Sequence, residues 1–153
     1  MKSRAILTVV ILATAVPALG DADVAVRLGP AQQSVRAGQT PQFSVTVRAL
    51  SSTVRVLKFS ERGDLRDNYA RLVVTKSGSR VELVPFISDP GPTSDGDYID
   101  LSPGRSMTFT HNGSPFPLRE LKAGTYSAHL LLQRDWSLSP VQSNTVSFQV
   151  TGS

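Results

Sequence analysis

Three carboxylates lie within six residues in the segment Asp95-Gly96-Asp97-Tyr98-Ile99-Asp100. Calcium takes oxygen ligands from flexible acidic loops, and Asp-x-Asp spacing lets two carboxylates converge on one ion. The EF-hand pattern fails, because no ligand stands two residues after Asp97 and no glutamate stands at the twelfth position. Aspartate and glycine are also the residues that turns require for backbone reasons. The segment is therefore predicted to be a plain turn, with Asp95, Asp97 and Asp100 as a candidate calcium site.

Nucleophilic catalysis lacks its usual residues. The chain has no cysteine, and its two histidines are His111 and His129. His129 falls in the polar phase of a predicted strand and His111 precedes the turn Asn112-Gly113, so both are predicted to lie at the surface. Neither is close to a G-x-S-x-G nucleophile motif. We therefore predict a protein that is not an enzyme, with no cofactor other than the calcium considered above.

Two long loops are candidates for recognition, because rigid β-sandwiches commonly carry their binding residues on loops. Residues 133–140 contain the single tryptophan, Trp136. If exposed, Trp136 is an aromatic anchor for a protein partner or a stacking platform for a sugar. The competing interpretation is that it caps the open end of the core. Residues 87–98 form the second loop, which is rich in proline and aspartate.

Arginines on predicted strands offer a third hint of binding. Facing outward on neighbouring strands, they would form a basic surface for an acidic partner. Acidic residues interrupt the same stretch of sequence, so solubility and protection of strand edges are the favoured explanation of the arginines. The residues concerned are Arg48, Arg55, Arg71 and Arg80.

Residues 1–20 have the three parts of a secretory signal peptide. Lys2 and Arg4 form a basic head, residues 5–16 are an apolar run, and Ala18-Leu19-Gly20 supplies small residues before Asp21. A membrane-spanning helix needs about 20 apolar residues, so this run is too short. The sequence therefore predicts export to the periplasm or outside the cell, with no transmembrane segment in the mature chain.

Removing those twenty residues from the 153 leaves 133, enough for one domain with its own core. The absence of cysteine excludes disulfides, so packing alone must hold an exported fold. Without Lys2 and Arg4 the formal net charge falls from +4 to +2. That is an ordinary surface charge, and nucleic-acid binding is not predicted.

Apolar and polar residues alternate along most of residues 21–153, which is the pattern of half-buried strands. No stretch shows a helical stripe, and turn residues separate the alternating runs. Lys76-Ser77-Gly78-Ser79 is predicted to be a hairpin turn between residues 71–75 and 81–86. We therefore predict an all-β domain of seven or eight short antiparallel strands in two packed sheets.

The segment from Leu121 to Tyr126 resembles the tyrosine corner of immunoglobulin-like sandwiches. The resemblance implies that Leu121 plugs the core, Gly124 permits the tight turn and the Tyr126 hydroxyl returns to the backbone. The mature chain is similar to bacterial exported immunoglobulin-like or fibronectin-like domains. It departs from antibody domains, since Ala128 stands where they have cysteine and no tryptophan lies on the third strand.

That resemblance specifies a fold and not a function. The absence of catalytic residues, taken with this fold, favours a binding module, and we predict that it binds another exported or envelope protein. Its layout is also similar to a bacterial family of β-sandwich protease inhibitors, for which residues 87–98 would be the inhibitory loop. Two further functions suit the same fold. One is calcium or carbohydrate binding at Trp136 and the acidic turn, and the other is a structural subunit that lends an edge strand to a neighbour.

Overall fold

The structure, a computed structural model, describes residues 23–57, 70–84, 94–113, 116–134 and 139–152. These residues form an all-β fold in which two short 3₁₀ turns, Asp95–Asp97 and Leu118–Glu120, interrupt the strands. No helix among them is long and apolar enough to span a membrane. The strands are β1 (Val24–Pro30), β2 (Ser34–Arg36), β3 (Phe43–Ala49), β4 (Val54–Leu57), β5 (Ala70–Lys76), β6 (Ser79–Arg80), β7 (Tyr98–Leu101), β8 (Ser106–His111), β9 (Gly124–Leu132), β10 (Val141–Gln142) and β11 (Val146–Thr151).

The strands make two main sheets and a ribbon. The three-stranded sheet has the order β1-β3-β8, and the larger sheet has the order β2-β11-β9-β5-β6, with β10 also on β9. β4 and β7 pair separately. Every pairing is antiparallel except that of β2 with β11. The predicted all-β class is confirmed, but the described residues hold eleven strands, because β2, β6 and β10 are too short to show alternation in the sequence.

Alternation determines which side chains form the core. β3 and β9 bury every second residue, and their outward residues are polar or only partly buried. Aromatic rings join the two sheets at the centre. Phe148 of the larger sheet packs edge-on against Phe43 of the three-stranded sheet at 5.3 Å and stacks on Tyr126 at 5.6 Å. Burying a side chain such as Phe43 contributes about 1.5–3 kcal/mol, so this cluster fixes how the sheets face each other.

The predicted hairpin turn is confirmed, but its second strand is Ser79–Arg80, and residues 81–84 of the strand predicted over 81–86 are not in a strand. Lys76 pairs with Ser79 across a two-residue loop. Ser77 and Gly78 both have positive φ, 51° and 81°, as a type I′ turn requires. β6 ends at Arg80, although the N–H of Val81 still donates to the carbonyl of Val74 at 2.9 Å.

A bulge divides the last strand of the larger sheet. Gln142 pairs with Leu131 and Val146 pairs with Ala128, so residues 143–145 face only two residues of β9. The side chain of Ser143 fills the gap by accepting the N–H of Leu130 at 2.8 Å. Asn144 turns the other way, accepts the N–H of Leu28 at 2.8 Å and donates to its carbonyl at 2.9 Å. The side chain of Asn144 therefore bonds to the outer edge of β1 in the way that the backbone of a neighbouring strand would.

Candidate functional site

The acidic turn is held by its own side chains. One carboxylate oxygen of Asp97 accepts the backbone N–H of Ser94 at 2.8 Å and its hydroxyl at 3.0 Å. The first of these contacts is the one by which the third residue of a capping box holds the N-cap, here at the start of the 3₁₀ turn. The pattern Ser-x-x-Asp is visible in the sequence and explains Asp97 without an ion.

Arg55 on β4 contacts both this turn and the neighbouring strand β7. Its guanidinium lies 2.8 Å from the carboxylate of Asp95 and 4.7 Å from the ring centre of Tyr98. The side chains of Arg55 and Asp95 are 52% and 95% exposed, and an ion pair so open to water is worth little. Asp100 is exposed and lies opposite Arg55 in the ladder. The ribbon therefore places one arginine among the residues that the sequence proposes as calcium ligands.

Calcium is expected to leave the melting temperature of residues 21–153 unchanged. Asp95 and Asp97 each already use an oxygen on Arg55 or Ser94, and no group of three or more candidate ligands occurs among the described residues. Thermal melting in calcium and then in chelator is the measurement. Calcium at 100 times its dissociation constant would add about 2.7 kcal/mol to the free energy of unfolding, so a clear upward shift would contradict this expectation.

The segment before β9 has the contact that defines a tyrosine corner. The hydroxyl of Tyr126 donates to the carbonyl of Lys122 at 2.7 Å, four residues upstream. Leu121 is buried beside it, and Gly124 opens β9 with φ of 155°, which disfavours side chains. Lys76 crosses from β5, with its ammonium 5.2 Å from the Tyr126 ring centre. The corner fixes the entry of β9 into the larger sheet.

Replacing Tyr126 with phenylalanine is expected to lower the free energy of unfolding by about 1–1.5 kcal/mol. The ring keeps its stack on Phe148, while the Lys122 carbonyl loses its donor. Urea unfolding measures the difference. Lys76→Gln is the matched control, because Lys76 contacts the Tyr126 ring from its exposed side. This variant is expected to lose much less free energy of unfolding. Equal losses in the two variants would contradict this role of the hydroxyl.

His111 is buried, so the prediction that it lies at the surface is wrong. It is 4% exposed at the end of β8 and lies opposite Phe43. Its Nε2 is 2.6 Å from the carbonyl of Ala70 and must donate, because a carbonyl only accepts. Its Nδ1 accepts the N–H of Gly113 at 2.9 Å. The imidazole therefore joins the two sheets as a neutral ring with both nitrogens satisfied.

Burial lowers the pKa of His111, although its hydrogen bond to Ala70 acts in the opposite direction. Burial also lowers the pKa of His129, which is half-buried on the outer side of β9 rather than fully exposed. The sequence did contain a signal for His111. His111 follows Met107 and Phe109 in the inward phase of β8, which predicts that it is buried. The general rule that polar residues lie at the surface predicts the opposite.

The four arginines do not share one surface. Arg48 is on the three-stranded sheet, Arg55 is on the ribbon, and Arg71 and Arg80 are on the larger sheet. Arg80 lies 4.0 Å from Glu82.

A different pair of arginines does share a surface. Arg27 of β1 lies opposite Thr46 and Arg48 lies opposite Ala25, so the two arginines are diagonal neighbours on one face.

Small hydroxyl side chains line the part of that outer face formed by β3 and β8. Thr46 and Thr108 lie opposite each other, with their hydroxyl oxygens 3.0 Å apart. No aspartate or glutamate occurs in β1, β3 or β8. The face therefore combines two arginines with hydroxyls and carries net positive charge; its other hydroxyl residues are Ser44, Ser106 and Thr110.

The remaining sequence candidates fall outside the described residues. Trp136 is one of them, and so is most of the loop of residues 87–98, of which the structure describes residues 94–98. The anchor, sugar-stacking and inhibitory-loop interpretations stay predictions.

Comparison with known proteins adds no family. The sequence matches no protein-family model and no curated protein. Among solved structures, the sporulation control protein Spo0M from Bacillus subtilis aligns over 86% of this chain at 10% identity, with a TM-score of 0.40. The chain spans half the length of that protein, 50%. An alignment this loose carries no argument about fold or function.

Proposed function

We propose that this chain is an exported immunoglobulin-like module that works by binding another protein. Two features support the immunoglobulin-like part. Immunoglobulin sandwiches place strands A, B and E in one sheet and C, F and G in the other. Here β1, β3 and β8 occupy the first set of positions, and β5, β9 and β11 occupy the second. The hydrogen bond of Tyr126 to Lys122 lies at the start of the F-like strand.

The observation that carries the binding proposal is the positive charge on the outer face of the three-stranded sheet. Arg27 and Arg48 are exposed on it, and the three strands contain no acidic residue. Complementary charge steers association and selects partners. The face is rigid, because its strands bury their other side in the core. The partner is therefore a protein that presents an acidic surface, in the exported fraction of the same cells.

Cross-linked capture by the tagged mature domain, from residue 21 onward, tests the proposal in the exported fraction. We expect one reproducible partner, identified by mass spectrometry. The double variant Arg27→Glu/Arg48→Glu is expected to lose it. Arg71→Glu is the matched control, because Arg71 is exposed on the other sheet, and it is expected to keep the partner.

An empty capture at high bait concentration would overturn the protein-partner proposal, and equal losses in both arginine variants would remove this face from it.

Export has its own test. The mature protein should begin at Asp21 when its N-terminus is sequenced from the exported fraction. A protein retained with residues 1–20 attached would contradict export by a cleaved signal peptide.

A further inference from the structure

The backbone of β8 presents half of its hydrogen-bonding groups away from the sheet. The N–H of Ala49 donates to Arg105 at 3.0 Å and its carbonyl accepts from Gly104 at 2.8 Å, so Ala49 faces the β8 side. Backbone direction alternates along a strand, and the register then makes Val45 and Phe109 a hydrogen-bonded pair. The N–H and C=O groups of Ser106, Thr108 and Thr110 therefore point outward, and no described strand pairs with that edge.

Three other edge strands, β1, β2 and β6, are blunted in ways that β8 is not. Asn144 occupies backbone groups on the edge of β1. β2 has three residues and β6 has two, and each ends in an arginine. Short strands and charged side chains are the usual protection against unwanted pairing. β8 has six residues, and none of them is a proline, lysine, arginine, aspartate or glutamate.

We propose that the outward edge of β8 receives an extended segment of the partner as an added strand, and that this segment alternates acidic with apolar residues. The inference rests on the proposed protein-binding function and states how the partner binds. Main-chain hydrogen bonds would supply affinity, and alternating side chains would supply specificity.

The side chains beside this edge determine that pattern. Met107 faces inward but is only partly buried against the core, so apolar residues of an added strand have a surface to cover. Arg48 lies one strand away on the outer face, opposite Ser106, and Arg27 lies beyond it. Acidic residues on the outer side of the added strand would approach this positive charge. A second copy of this chain would instead bring two such positive faces side by side, which disfavours self-pairing.

Amide hydrogen exchange in the free mature domain is the first test. The N–H groups of Thr108 and Thr110 should exchange quickly, whereas those of Met107 and Phe109, which point to β3, should be protected. Fast exchange at the outward positions supports an open edge. Protection of Thr108 and Thr110 in the dilute, monomeric domain would overturn the proposal, because the edge would already be covered.

Binding of a defined peptide is the second test. The probe is a capped synthetic peptide that alternates valine with glutamate, and its counterpart replaces glutamate with lysine. We expect the glutamate peptide alone to bind at low salt and to slow exchange at Thr108 and Thr110. Absence of binding by the glutamate peptide, or equal binding by both peptides, would overturn the proposed pattern.

Two substitutions at one position separate main-chain pairing from side-chain contact. Thr108→Pro removes an outward N–H that β3 does not use, and proline is tolerated at such edge positions. It should weaken peptide binding by about tenfold or more. Thr108→Val keeps the N–H, removes the hydroxyl and should bind nearly as well as the parent. Thermal melting checks that both variants are folded.

The outcomes distinguish this inference from the proposed function. A captured partner that Thr108→Pro leaves in place would overturn strand addition and keep the protein-binding proposal. A size that doubles with concentration, together with protection of Thr108 only at high concentration, would identify a second copy as the occupant and overturn the acidic partner.

Discussion

Replacing Gly113 with alanine is expected to lower the free energy of unfolding by about 3 kcal/mol or more. A Cβ built at Gly113 meets the Cγ and Cδ1 atoms of Leu118 far inside contact distance. Leu118 is 2% exposed, so its side chain can move aside only by repacking against its buried neighbours. Gly113 also has φ of 87°, which disfavours any side chain, and its N–H donates to His111. Overpacking, backbone strain and a disturbed hydrogen bond therefore all destabilise the Gly113→Ala variant.

Gly104→Ala is the control that isolates the clash, and urea unfolding of both variants is the measurement. Gly104 has φ of 79°, but a Cβ there meets nothing within 4 Å. Its substitution should therefore cost only the backbone strain, about 1–2 kcal/mol. Combining Gly113→Ala with Leu118→Ala should cost less than the sum of the two single changes, because the smaller side chain makes room. Equal costs for Gly113→Ala and Gly104→Ala would contradict the packing of Leu118 against Gly113.

Alternation in the sequence predicts the central strands well, because in this fold period two corresponds directly to inside and outside. In β9 every second residue from Tyr126 onward is apolar, and all four of these residues are buried: Tyr126, Ala128, Leu130 and Leu132. The turn at Ser77 and Gly78 is equally predictable, since the type I′ turn depends on the local backbone alone. Such features need no knowledge of the rest of the molecule.

The features that sequence reasoning missed depend on contacts between distant segments. Asn144 bonds to Leu28, which lies 116 residues away, and nothing local marks an asparagine as a substitute for a strand. Arg55 meets Asp95 only because β4 pairs with β7. The positive face of Arg27 and Arg48 likewise requires that β1 and β3 be neighbours in a known register. Patterns of residue type determine strands, whereas surfaces depend on strand order.

The burial of His111 leads to the second large prediction: the domain should lose stability as the pH falls below about 6.5. Burial lowers the pKa of His111 in the folded state, so the unfolded chain binds a proton that the folded chain resists. Stability is fully present above the unfolded pKa and is lost as the pH falls toward the folded one. The slope for one such proton is at most about 1.4 kcal/mol per pH unit. Protonation of Nδ1 would also set a donor against the N–H of Gly113.

Urea unfolding between pH 5 and 7, roughly the range where free histidines but few free carboxylates titrate, measures this slope. His129→Gln removes the other histidine with a lowered pKa and should keep most of the slope, because His129 is only half-buried. His111→Phe should flatten the slope. It should also cost about 2–4 kcal/mol at pH 7, since the Ala70 carbonyl and the Gly113 N–H would each lose a buried partner. A slope that survives His111→Phe but disappears in His129→Gln would show that the buried ring does not control acid stability.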